Sequence, residues 1–287
     1  MVARRTAVNL IWLTVFAAAC TERPSSPPRP VTASATPPPA GLIDAATAPS
    51  PALAAPISTR LARPERAHDA GPSVEKTSTP CPGCFLAYPK RASRADATAP
   101  VSVPLLVVLH GDGQAAKTMY DAWKSAAAAR DVAVLAIACP ASEGCKGSFW
   151  RWNGDPAWLA QQVERTGDIV ALDDSRRWLL GFSGGASYIG WRAQDLERDF
   201  GAVVIHAGGM GPAADECTSQ KRPVYFLVGD KNPFHNLAQG LRAHYTKCGN
   251  AVTWRLLEGA DHPAEWAALT QNGGRERSAV LDWLDRQ

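Results

Sequence analysis

Ser183 stands in Gly181-Phe182-Ser183-Gly184-Gly185, a G-x-S-x-G pattern. A serine hydroxyl becomes a useful nucleophile when a sharp strand-to-helix turn exposes its oxygen and a base takes its proton. Glycines around such a turn tolerate strained dihedrals and close backbone approach, where a β-carbon would not fit. The same pentapeptide also arises by chance, with the serine merely filling a turn. Its context decides between the two readings: an apolar run, RRWLL at 176–180, precedes it and a helix-like stretch follows. A second glycine-rich turn, Leu109-His110-Gly111-Asp112-Gly113, ends another apolar run. Backbone N–H groups in such a turn can hold the oxyanion of a tetrahedral intermediate. A base completes the chemistry, and the chain has six histidines. His68 lies in a proline-rich stretch, His206 in or at the end of a strand, and His244 on a helix. His235 precedes the last strand-like run, whereas His262 follows it.

These groups need a scaffold that brings distant residues to one end. Apolar runs recur at 104–109, 132–138, 176–180, 202–207, 223–229 and 252–257. Between and after them lie helix-like stretches at 115–130, 156–172, 186–199, 236–247 and 263–286. Continuous β-branched and leucine-rich runs alternating with amphipathic stretches predict βαβ units and a mostly parallel sheet covered on both faces. Active groups on such a sheet collect at the carboxyl ends of the strands.

The 287 residues carry a net charge of +3 with 20% charged side chains, which gives no nucleic-acid footprint. Residues 1–19 read as a signal peptide: Arg4 and Arg5, then an apolar stretch from Ala7 to Ala19, too short to span a bilayer. Three alanines before Cys20 match the small residues of a bacterial lipobox, with Ala17 where leucine is usual. The expectation is an exported chain lipidated at Cys20 and tied to a membrane, the alternative an ordinary secretory signal cut near the same alanines. Residues 20–80 hold more than half of the 23 prolines and no aromatic residue past Cys20, so they read as a disordered tether. One domain is expected over 81–287. Export leaves six cysteines in an oxidising setting, and chain proximity favours Cys81–Cys84, Cys139–Cys145 and Cys217–Cys248 among fifteen pairings. Cys81-Pro-Gly-Cys84 has no second C-x-x-C and no strand before it, which favours a structural bridge over a redox or zinc site.

With Ser183, the His110–Gly113 turn and His262 in chain order, the sequence resembles an α/β-hydrolase. More narrowly it is similar to the secreted esterases grouped with polyhydroxybutyrate depolymerases and feruloyl esterases, a likeness carried by LDDSRRWLLGFSGGASYIGW at 172–191. The resemblance spans residues 81–287 and implies the α/β-hydrolase fold, with Ser183 as nucleophile, His262 as base and no metal or organic cofactor. It implies an acyl-enzyme released by water, with the N–H of Gly184 joined by that of Asp112 or Gly113 at the oxyanion, and His110 bracing the loop. Family members commonly carry the catalytic aspartate three residues beyond the glycine that ends the strand at 223–229. This chain has Asn232 there and Asp230 two residues earlier. Asp230 ranks first as the acid, Asp215 second, and Asn232 itself is the third choice. The aromatic loop from Ser148 to Trp158 falls on the catalytic side, with Trp150 and Trp152 as candidates for stacking on a small-molecule or polymeric ester. Two other readings stand beside the esterase: a binding module that has lost turnover, prompted by Asn232, and a serine peptidase.

Overall fold

The computed structural model describes residues 73–145, 149–150, 154–196, 198–212 and 214–287. The expected signal segment, Cys20 and the tether up to residue 72 lie outside the described residues, as does Trp152. The strands are β1 (Ser73–Thr77), β2 (Phe85–Pro89), β3 (Val103–Leu109), β4 (Ala133–Ile137), β5 (Leu172–Phe182), β6 (Ala202–His206), β7 (Val224–Gly229) and β8 (Val252–Leu257). They form one sheet in the order β1-β2-β4-β3-β5-β6-β7-β8, parallel from β4 to β8 and antiparallel at β1-β2 and β2-β4.

Why the middle strands read so clearly is visible in their burial. Every residue of β3, β4, β6 and β7 is buried, because helices cover both faces. Alternate residues feed opposite cores: Leu105, Val107 and Leu109 of β3 face one, Leu106 and Val108 the other. The first core takes α2 (Pro156–Gly167), α3 (Gly184–Trp191), α4 (Ala193–Leu196) and α5 (His235–Lys247). The second takes α1 (Ala116–Ala128), α6 (His262–Thr270) and α7 (Arg275–Leu284).

Three departures from the sequence reading have simple causes. Ser73–Thr77, inside the expected tether, is an edge strand; its exposed SVEKT sequence shows no apolar run because only one strand pairs with it. Cys81–Cys84 therefore sits in the connection of the β1–β2 hairpin, where the Ser78 N–H donates to the Cys84 carbonyl at 2.7 Å. The terminal helical region splits into α6 and α7 because Gly273 and Gly274 both take positive φ, at 68° and 71°. The other two disulfides are Cys139–Cys145 and Cys217–Cys248. No helix among the described residues is long and apolar enough to cross a membrane.

Candidate active site

Ser183 is the hinge between β5 and α3, with φ 52° and ψ −112°, a conformation that costs a non-glycine residue. Its backbone N–H donates to the His206 carbonyl at 2.9 Å, which ties the turn to β6. The neighbouring glycines are there for space. A β-carbon on Gly181 would lie 2.5 Å from the Ala186 nitrogen, and one on Gly185 would lie 2.7 Å from the His110 carbonyl oxygen. The Ser183 hydroxyl has no hydrogen-bond partner among the described residues.

The His110–Gly113 turn packs directly on the elbow. A β-carbon on Gly184 would fall 2.3 Å from the Asp112 carboxyl carbon, so these two expected oxyanion residues are brought together. Gly113 completes the turn with φ 77°. His110 is buried and joined at both ring nitrogens: Nδ1 donates to the Gly111 carbonyl at 2.8 Å, and Nε2 accepts the Cys139 N–H at 3.2 Å. Burial holds its pKa below the ordinary value, which suits a neutral brace rather than a base. Trp150, expected against substrate, instead fastens this loop. It is 5% exposed, its backbone N–H donates to Asp112 Oδ1 at 2.9 Å, and its indole N–H donates to the His110 carbonyl at 2.8 Å.

His262 opens α6 directly over the elbow. The ring of Phe182, the residue before Ser183, stacks on the imidazole at 5.3 Å between centroids and 9° between planes. Phe234 meets the same imidazole edge-on at 5.8 Å. The carboxylate beside His262 is Glu265, three residues along the same helix. Glu265 is fully buried, and its Oε2 accepts from His262 Nδ1 at 3.1 Å and from Asn232 Nδ2 at 2.5 Å. Its Oε1 accepts the Gly229 N–H at 2.5 Å. Three donors on one carboxylate explain how a buried charge is tolerated. His262 Nδ1 is thereby the protonated nitrogen, leaving Nε2 as the acceptor that a general base needs.

The carboxylates expected beside His262 are elsewhere. Asp230 accepts the Gly259 N–H at 2.6 Å in an exposed turn, because the chain bends straight after Gly229 and does not stay extended. Asp215 is exposed and paired with Lys247 and His244, and those partners lower its pKa. Asn232 does sit at the imidazole, 4% exposed, with Nδ2 3.4 Å from His262 Nδ1. Glu265 had a sequence signal: in His262-Pro263-Ala264-Glu265 the spacing i, i+3 puts both side chains on one face of a helix. A further histidine, His206, is wholly buried beneath Phe182 at 5.0 Å, and burial pushes its pKa down to about 3.

No family model matches the chain, and no curated protein matches it. Solved structures do. FphF, a fluorophosphonate-binding serine hydrolase of Staphylococcus aureus, superposes with a TM-score of 0.55 at 12% identity, over 75% of this chain and 98% of its own. S-formylglutathione hydrolase (FrmB) from the same organism gives 0.52 at 13% identity, over 70% and 89%. Est1E from Butyrivibrio proteoclasticus gives 0.50 at 12%, over 71% and 94%. At such identities the likeness is one of architecture. The sheet order, the strained serine after β5 and these superpositions together establish that the chain has the α/β-hydrolase fold.

Proposed function

We propose that this protein is a serine hydrolase that cleaves carboxylic esters through an acyl-enzyme. The observation that carries the reading is the His262–Glu265 pair, stacked on the residue that precedes Ser183. In this scheme the Ser183 oxygen attacks the ester carbonyl while His262 Nε2 takes its proton, and Glu265 stabilises the resulting imidazolium through Nδ1. The N–H of Gly184, with that of Asp112 or Gly113, holds the oxyanion. Collapse of the intermediate expels the alcohol, which takes the proton back from His262. Water, activated by the same nitrogen, then releases the acid.

A buried carboxylate on the imidazole speaks against a scaffold that lost turnover when Asn232 replaced the usual aspartate. The structural neighbour FphF, described as fluorophosphonate-binding, suggests the probe. The purified domain should be labelled at Ser183 by a fluorophosphonate and should hydrolyse short p-nitrophenyl esters faster than aminoacyl amides; faster amide cleavage would favour a peptidase. Ser183→Ala should lower turnover on the order of 10⁶-fold, by analogy with subtilisin. An unlabelled Ser183 would end the reading.

Exposed apolar side chains lie next to site residues: Phe234, edge-on to His262, is 42% exposed, and Phe149, which precedes the Trp150 bound to Asp112, is 47% exposed. Those exposed aromatic side chains favour an aromatic or polymeric ester of the depolymerase and feruloyl esterase kind. The Arg4-Arg5 start, the apolar stretch and Cys20 support export and lipid attachment at the cell envelope. Incorporation of a fatty-acid label that Cys20→Ala abolishes would test the anchor.

A further inference from the structure

Asn232 has both amide protons and its oxygen engaged, which is more than filling space requires. Its Nδ2 carries two protons and meets two acceptors: Glu265 Oε2 at 2.5 Å and the Ala207 carbonyl at 3.2 Å. Its Oδ1 accepts the Phe234 N–H at 2.7 Å. That last bond fixes which end of the amide is oxygen, so the Nδ2 side faces Glu265, His262 and Ala207. An aspartate here would turn an oxygen toward a backbone carbonyl and toward a second carboxylate. Two carboxylates at that separation cannot both ionise without large cost, and they share a proton instead.

We infer that Asn232 is a positioning residue that makes Glu265 the sole carboxylate at His262: it is a neutral donor standing where the fold ordinarily puts the acid, and it aims Glu265 Oε2 at His262 Nδ1. The inference rests on the hydrolase reading above and explains why a buried asparagine occupies that position. In effect the charge has moved from the β7 turn to α6, and the amide that remains holds it in place. Among the described residues, other titratable or charged groups stand on the elements around this cluster. His206 comes from β6, and His235 on α5 engages the Gly229 carbonyl through Nδ1 at 2.9 Å. Asp230 and Lys231 share the β7 turn, and Asp261 caps α6 by accepting the Ala264 N–H at 2.9 Å.

The proposal makes the two positions exchangeable in charge. Glu265→Gln should lower kcat by about 10³- to 10⁴-fold, as loss of the acid does in serine proteases. Adding Asn232→Asp to it restores a single carboxylate with a single amide donor, now in reversed places, and should recover about tenfold or more of that loss. Asn232→Asp alone should leave a site that works while the pair retains a proton and fails when both carboxyls ionise. Its kcat/KM profile should therefore acquire a falling limb at high pH that the unaltered chain lacks. Fluorophosphonate labelling of Ser183 across the same pH range provides a readout independent of the ester chosen.

A double variant no more active than Glu265→Gln, in protein with an unchanged unfolding midpoint, would overturn the proposal. If the double variant does not fold, Asn232→Asp decides alone: a profile superimposable on that of the unaltered chain means that Asn232 only fills space. Failure of the unaltered chain to label or to hydrolyse esters is a separate result, which removes the hydrolase reading and this proposal with it.

Discussion

The turn after β5 and the turn after β7 lie at the same end of the sheet, yet they hold their functional groups by opposite means. The β5 turn is fixed by the backbone. Ser183 is held at positive φ, and its flanking glycines let strand, helix and the His110 loop approach to distances no β-carbon would allow. The β7 turn shares that constraint at Gly229, where a β-carbon would collide with the Ala260 carbonyl, but its functional side chains are held otherwise. Asn232, Glu265 and His262 are held by side-chain hydrogen bonds across two elements, with Glu265 at their centre. Backbone sterics demand particular residue types at consecutive positions and so leave a motif. A side-chain network needs only that donors and acceptors arrive together, and the sequence records that as spacing on a helix.

If this contrast holds, the two halves break differently. Short of removing the Ser183 nucleophile itself, the largest effect belongs to the side-chain half: Glu265→Gln should cost about 10³- to 10⁴-fold in kcat with little change in KM, because His262 loses the acceptor that fixes its tautomer. The fold should survive with some loss of stability, since glutamine matches the shape and still accepts the Gly229 N–H, while its NH2 group faces the Asn232 amide donor. Steady-state kinetics beside a thermal melt would show it, and a variant with full turnover would remove Glu265 from the mechanism.

Gly185→Ala attacks the other half. Its β-carbon would meet the His110 carbonyl at 2.7 Å and Leu109 Cβ and carbonyl oxygen at 2.8 Å, none of which can swing away. Overpacking of this kind costs about 1–3 kcal/mol. Stability and turnover should fall together here, since the displaced loop carries the proposed oxyanion donors. Denaturant unfolding and kcat on one preparation would test the coupling; loss of activity at unchanged stability would mean that this half, too, is held by something other than close packing.

The same division explains what could be read before the structure was known. The four fully buried strands are legible because both faces of each are apolar, and the elbow because its glycines fall within five residues, at 181, 184 and 185. β1 is not, since an exposed edge needs no apolar pattern. His262, the proposed base, is marked in the sequence by its place after β8. The acid was sought in the turn after β7 because the fold usually keeps it there, and Asp230 satisfied a sequence rule while the chain turned away. Trp150 shows a different limit. Residue type marks an aromatic loop on the catalytic side, but whether the ring stacks on a ligand or is spent on the His110 carbonyl is set by packing.

The buried histidines give a smaller, pH-dependent effect. His206 is held neutral down to about pH 3 and His110 is shifted in the same direction, both by burial, from an ordinary value of 6.5. Below pH 6.5 the unfolded chain binds protons there that the folded chain refuses, so stability falls as pH drops. Each such group contributes up to about 1.4 kcal/mol per pH unit. The carboxylates with lowered pKa, Glu75, Asp173, Asp215 and Glu276, begin from 4.5 or below, and Asp285, raised by burial, acts in the opposite sense, so a decline from pH 6.5 to 4.5 belongs to the histidines. Urea midpoints across that interval should decline, and His206→Leu should flatten the decline. An unaltered slope would mean that His206 gains its proton in the folded chain.

The smallest effect is the most direct check on where the charge resides. Asp230→Ala removes one exposed carboxylate and its bond to the Gly259 N–H. A hydrogen bond of that kind is worth about 1 kcal/mol, which for a domain of this size lowers the melting midpoint by about 2–4 °C. Turnover should stay within about twofold, because Asp230 touches neither His262 nor Glu265 and its charge is exposed to solvent. A loss of two orders of magnitude at an unchanged midpoint would reverse the assignment. The acid would then be supplied by the β7 turn after all, through a rearrangement that substrate binding brings about, and Glu265 would be reduced to a buried partner of Asn232.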